Sequence, residues 1–128
     1  MKARTWLWLG LSAALTWAAC AGAPERPADT VQKYLEARVA SDVNTMINLS
    51  CPAWEAQARI EAASFQSMNA RLDGVTCRDG QQSGDTALVG CSGQIVTTYN
   101  GETRQWSVSD HQFQTVLDEG EWRMCGYE

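Results

Sequence analysis

The sequence has one histidine, no Cys-x-x-Cys pair, fewer basic residues (10 Lys and Arg) than acidic ones (15 Asp and Glu), and no apolar run of membrane-spanning length. Each shortage removes a class of function. The acid excess, with a pI near 4.8, lacks the basic footprint by which nucleic-acid binders hold phosphate. A lone His111 would have to fill every histidine role, so no Ser/His/Asp arrangement is supported. Gly80, Gly84, Gly90 and Gly93 fall in turn and strand patterns and not ahead of a helix, so no phosphate-cradling loop is present. There is no internal repeat and no low-complexity stretch. What remains is 128 residues, 45% apolar and 20% charged, the makeup of one ordinary folded domain.

The N-terminus reads as an address. Lys2 and Arg4 precede an uncharged, mostly apolar stretch from Thr5 to Trp17. A bilayer span needs about 20 apolar residues, so the stretch fits a signal peptide better than a membrane helix. It closes on Ala18-Ala19-Cys20 and resembles a bacterial lipoprotein signal, in which a small residue precedes the cysteine that is lipidated and becomes the new N-terminus. Trp17 departs from that pattern, which has an aliphatic residue there. The resemblance implies a signal peptide over 1–19, a lipid on Cys20 and a short spacer over 20–28, holding the protein at the outer face of the cell membrane. The alternative is secretion after ordinary cleavage at Ala19-Cys20-Ala21 or Ala21-Gly22-Ala23. The chain from Cys20 onward carries eight basic and fifteen acidic side chains, a net −7 that anionic headgroups repel, so attachment would rest on the anchor.

Cys51, Cys77, Cys91 and Cys125 are then an even set in an exported chain, and four cysteines allow three pairings. Zinc is disfavoured by their spacing and by the distance in sequence to His111. No metal and no cofactor is expected. The segments 75–79 and 86–99 read as strands of a hairpin centred on residue 84, which places Cys77 opposite Cys91. Cys51 and Cys125 then tie the helical half to the last strand.

Within 29–128 the first half is helical in period. Asp29 has the form of an N-cap, followed by Val31, Tyr34, Leu35 and Val39 at helical spacing, with Lys33, Glu36 and Arg38 elsewhere on the wheel. Ser41-Asp42 caps a second short helix bearing Met46, Ile47 and Leu49. A third helix is expected from Pro52 to Met68, with Trp54, Ala58, Ala62 and Phe65 buried and Glu55, Gln57, Arg59 and Glu61 solvated. From Leu72 the period becomes strand-like. Asn100-Gly101 signals a type I′ hairpin that sets Thr98 opposite Thr103 and Ile95 opposite Trp106. Trp106 and Val108 are even-numbered and Phe113, Thr115 and Leu117 odd, so a β-bulge is expected near Ser109 to His111. Residues 118–121 make the last turn and Trp122 to Tyr127 the closing strand. Helices followed by a curved four-stranded antiparallel meander make an α+β domain, and two disulfides supplement its modest core.

The run Val31-x-x-Tyr34-Leu35-Glu36-Ala37, then Ala40-Ser41-Asp42-x-x-x-Met46-x-x-Leu49, resembles the opening of the nuclear transport factor 2-like (ketosteroid-isomerase-like, cystatin-like) superfamily. The long third helix and the meander closing on Trp122-Arg123 are similar too, over roughly residues 29–128. Small bacterial lipoproteins of that group carry four extra cysteines. The resemblance implies a cone-shaped domain with a pocket between helices and sheet, used in some members for acid–base chemistry and in others for binding. Pocket candidates are Tyr34, Trp54, Phe65, Ile95, Tyr99 and Trp106, and the candidates for a base are Asp110 and His111.

Adjacent strand residues point to opposite faces, so Asp110 and His111 converge only if the bulge turns one of them. The expected function is therefore a non-catalytic, membrane-anchored extracytoplasmic domain that binds a small molecule or a protein. The alternatives are an isomerase- or dehydratase-like enzyme using Asp110 or His111, and a structural accessory subunit of the envelope. Pairing of an edge strand with a second copy would give a homodimer.

Overall fold

The computed structural model describes residues 25–128; the signal segment, Cys20 and the spacer up to Pro24 lie outside the described residues. Among the described residues three helices precede the sheet: α1 (Pro27–Val39), α2 (Val43–Asn48) and α3 (Glu55–Ser64), with a 3-10 turn over Pro52–Trp54 before α3. Five strands follow: β1 (Arg71–Ser83), β2 (Thr86–Tyr99), β3 (Glu102–Ser107), β4 (Gln112–Asp118) and β5 (Glu121–Tyr127). Among the described residues, no helix is long and apolar enough to cross a membrane.

α1 begins one turn earlier than its sequence suggests. Arg26 is the N-cap and Asp29 stands at the third helical position, where its carboxylate accepts the Arg26 backbone N–H at 3.0 Å. The Arg26–Asp29 ion pair holds that carboxyl below the usual carboxylate range. Asp42 does cap α2, accepting from the Thr45 backbone N–H at 3.2 Å and from the Thr45 hydroxyl at 2.6 Å. α3 is shorter than expected: it stops at Ser64, and Ser67 and Asn69 take left-handed backbone angles that end any helical path to Met68.

The sheet has five strands rather than four because β2 is long enough to pair twice along one side. β1 lies along one edge of β2; along the other, β3 pairs with its second half and β4 with its first. The parity change between Val108 and Phe113 is therefore not a bulge in one strand. A 3-10 turn over Val108–Asp110 separates two strands that meet β2 at different places. The hairpin register holds as expected, with Ile95 opposite Trp106 and Thr98 opposite Thr103. Two disulfides join Cys51 to Cys125 and Cys77 to Cys91. The tight turn sits between Ser83 and Thr86, and a bulge between Asp79 and Gln82 restores the register that makes Cys77 face Cys91.

A second β1 irregularity, between Asp73 and Thr76, lies against Gly93. A Cβ on Gly93 would sit 2.5 Å from the Gly74 carbonyl oxygen, at a φ of +88°. The sheet bends there, and its inner face closes on α1. The core is Val31, Tyr34 and Leu35 of α1, Met46 of α2, Ala58 and Ala62 of α3, and Val89, Ile95, Val108, Phe113 and Met124 from the sheet half. Leu49 and Cys51 bond by backbone to Met124, and the Cys51–Cys125 bridge fixes the 3-10 turn before α3 beside β5.

Candidate functional site

The helix–sheet interior is polar at its centre. Glu61 on α3 is 3% exposed and Arg38 on α1 is 8% exposed, so a side chain expected to be solvated and one expected off the apolar stripe of α1 are both buried. Their positions explain it. Arg38 follows Tyr34 by one turn, and Glu61 lies beside Ala58 and Ala62 on the face α3 turns inward.

Both oxygens of the Glu61 carboxylate are used. Oε2 accepts the Tyr34 hydroxyl at 2.7 Å and Oε1 accepts the Tyr127 hydroxyl at 2.7 Å. The Tyr34 oxygen in turn accepts the Trp54 indole N–H at 3.0 Å. The Arg38 Nε lies 3.7 Å from Oε2, an ion pair too long for a hydrogen bond, and Nε and Nη1 are buried without a hydrogen-bond partner. The cation is offset by aromatic faces instead, with Cζ 4.8 Å from the ring centres of both Phe65 and Trp106. Burial, then the Glu61 negative charge, pushes the Tyr34 hydroxyl well above its ordinary pKa. Tyr127 is raised by burial and by its bond to Glu61. Both phenols are held as donors.

The arrangement joins five separate elements: α1, the 3-10 turn before α3, α3, β3 and β5. Tyr127 meets Trp54 and Trp106 edge-on, at 5.7 Å and 5.8 Å between ring centres, and the tilted ring of Phe113 at 5.4 Å. Tyr34, Trp54, Phe65 and Trp106, four of the six pocket candidates, thus surround one carboxylate–guanidinium pair. Ile95 lies in the apolar core. Tyr99 stands apart: it is 56% exposed and lines a separate hollow of about 230 Å³ with Met68 and Arg104.

Asp110 and His111 do not converge: Asp110 points away, whereas His111 packs on the outer side of the network, against Trp106 and, at 5.4 Å between ring centres, Tyr127. Asp110 is exposed on the 3-10 turn, and His111 stacks on Trp106 at 4.4 Å with Nδ1 3.2 Å from the Glu128 carbonyl oxygen. No bulge turns them together, because the chain leaves the strand there. Sequence reasoning missed Glu61, Arg38 and Tyr127. The first two were visible only as charges falling on otherwise apolar helical faces. Among the described residues, no group of three or more His, Cys, Asp or Glu is placed to hold a metal.

A groove of about 350 Å³ opens beside the network, lined by Trp54, Tyr127, Gly126, Leu88, Gln112, Gln114 and Glu128. Leu88, Gln114 and Gly126 are cross-strand neighbours on one face of β2, β4 and β5. Gly90, Gln112 and Glu128 form the next row, with Gln112 and Glu128 exchanging backbone hydrogen bonds at 3.1 Å. Glycine in each row leaves the face hollow. The Trp54 ring lies over Gly126, 3.6 Å from where a Cβ would stand.

No protein-family model matches the sequence, and no curated protein matches it. Solved structures do share its architecture. A proposed dehydratase of the nuclear transport factor 2-like family from Streptomyces avermitilis superimposes with a TM-score of 0.57 at 15% identity, over 77% of this chain and 87% of that one. A nuclear transport factor 2-like protein with a cystatin-like fold from Novosphingobium aromaticivorans gives 0.57 at 13% identity, over 79% and 76%. The helical cell shape determining protein of Campylobacter jejuni gives 0.52 at 10% identity, over 78% of this chain and 38% of that one. The chain has the nuclear transport factor 2-like fold. Likeness at these identities is likeness of fold alone.

Proposed function

We propose that this is an exported domain, tethered through a lipid on Cys20, that binds a ligand in the groove at Trp54 and does no chemistry on it. One observation carries the reading: both oxygens of Glu61, the acid at the centre of the cone, accept hydrogen bonds from phenols, and those bonds hold Trp54 and Tyr127 at the groove. An acid or base must be free to exchange a proton with a bound substrate. Glu61 is engaged structurally, Asp110 faces solvent, and His111 is packed against Trp106. A carboxylate spent on fixing two aromatic rings supports recognition, because a ligand meeting rings already immobilised does not lose affinity to ordering them. The export reading is supported by the N-terminal sequence and is consistent with two disulfides, which persist in oxidising compartments.

Two measurements test the proposal. Intact mass of membrane-extracted protein should show a lipid increment on an N-terminal Cys20, and a bare Cys20 overturns the anchor. An NMR fragment screen should place its hits on the Trp54 indole N–H and the Gln112 and Gln114 amides. Hits confined to the Tyr99 hollow, or none at all, overturn the groove.

A further inference from the structure

Resting on that reading, we infer that the groove takes a neutral carbohydrate. Its lining has three kinds of group and lacks a fourth. Trp54 supplies a flat ring held by its N–H bond to Tyr34 and by an edge-on contact with Tyr127. A pyranose offers such a ring one face of C–H bonds, with its hydroxyls directed outward. Gln112 and Gln114 are exposed, alternate residues of one strand, so their side chains leave the same face from backbone positions about 7 Å apart. Each amide offers a donor and an acceptor together, which matches a hydroxyl's need for both. Glu128 adds an acceptor carboxylate to the same lining.

The missing group is a cation. Among the described residues neither lysine nor arginine lines the groove, so a phosphate or carboxylate ligand would find no counter-charge there and would meet Glu128. A lipid chain would leave two glutamine amides unpaired, since Leu88 is the one aliphatic side chain among the lining residues. The volume, about 350 Å³, is at the small end of ligand sites, which run from about 300 to 1,000 Å³. It suits a short stretch of sugar, and the outward face of the sheet leaves room for a chain to continue past it.

The test is titration of the purified protein with chitotetraose, cellotetraose and maltotetraose, with choline chloride as a cationic probe and inorganic phosphate as an anionic one. Signals followed are the Trp54 indole N–H and the two glutamine side-chain amides. At least one oligosaccharide should shift all three saturably, with no response to phosphate. Gln112→Ala/Gln114→Ala, at exposed positions that leave folding intact, should weaken it at least tenfold with an unchanged Tm. Response to choline alone overturns the carbohydrate and makes the groove a cation cage. Silence towards every sugar, with fragments still landing at Trp54, overturns the inference and leaves the binding reading standing; silence towards both sinks the two together. An unchanged sugar affinity in the double variant also overturns it.

Discussion

Glu61 and Arg38 set the energetics at the residue scale. Removing one partner of a buried pair leaves an uncompensated charge, which costs about 3–5 kcal/mol, whereas replacing both with apolar side chains of similar size can be neutral. Glu61→Leu should therefore lower unfolding stability by about that amount, and Glu61→Leu/Arg38→Met by clearly less, a coupling that urea denaturation of the full cycle measures. The phenols add a pH dependence. Tyr34 and Tyr127 titrate higher when folded than the ordinary tyrosine value of 10.0. Above pH 10 the unfolded chain gives up protons that the folded one keeps, so stability is fully present below that value and falls as pH rises past it. Thermal melts from pH 8.5 to 11.5 should show the fall, and Tyr34→Phe/Tyr127→Phe should flatten it while lowering the plateau.

At the scale of elements, the decisive feature is how β2 serves three neighbours. Its bend at Gly93 faces the Asp73–Thr76 irregularity of β1, with a backbone oxygen 2.5 Å from the site of any Cβ. Gly93→Ala must displace that carbonyl and hold an alanine at a φ of +88°, so it should cost about 2 kcal/mol or more. Gly90→Ala, three residues away on the same strand with nothing within 4 Å of its Cβ, should change stability by no more than about 1 kcal/mol. Chemical denaturation of the two variants side by side separates a glycine required by close approach from one that is merely present. The 3-10 turn over Val108–Asp110 has the complementary effect. It breaks what reads as one strand into two, so Trp106 and Phe113 both face inward despite their opposite parity.

The whole molecule depends on the link between its halves. The Cys51–Cys125 bridge spans 74 residues and ties the turn carrying Trp54 to the strand carrying Tyr127. Closing so long a loop stabilises by about 4 kcal/mol on a chain-entropy argument, against roughly 3 for the shorter Cys77–Cys91 loop. Cys51→Ala/Cys125→Ala should lose the larger amount in a urea titration. It should also raise acrylamide quenching of tryptophan fluorescence in the native baseline, as Trp54 comes loose from Gly126 and Tyr127. Cys77→Ala/Cys91→Ala should cost stability without that change in quenching, because its bridge joins β2 to β1, on the edge opposite β4, and neither cysteine lines the groove.

Much of the frame is local and could be read along the chain. Asn100-Gly101 dictates a turn through its own backbone preferences, Asp42 caps a helix with its own carboxylate, and hairpin register sets Cys77 against Cys91. The helices-then-sheet order follows from the switch in hydrophobic period. The centre of the site does not follow from any local signal. A glutamate at position 61 reads as solvated because an isolated charge belongs in water. It becomes a core residue when packing brings Tyr34, Arg38 and Tyr127, up to 66 residues distant, within reach of its carboxylate. The groove is the same case: glutamines and glycines of three strands acquire a common face only after β2 has paired with β4, and β4 with β5. The sequence determined the Asn100-Gly101 turn, the Asp42 cap, the strand periods and the bridge partners, because those interactions act between near neighbours or along one register. Tertiary structure alone decided which charges are buried and where a ligand can dock, because both depend on side chains that meet only when the halves close.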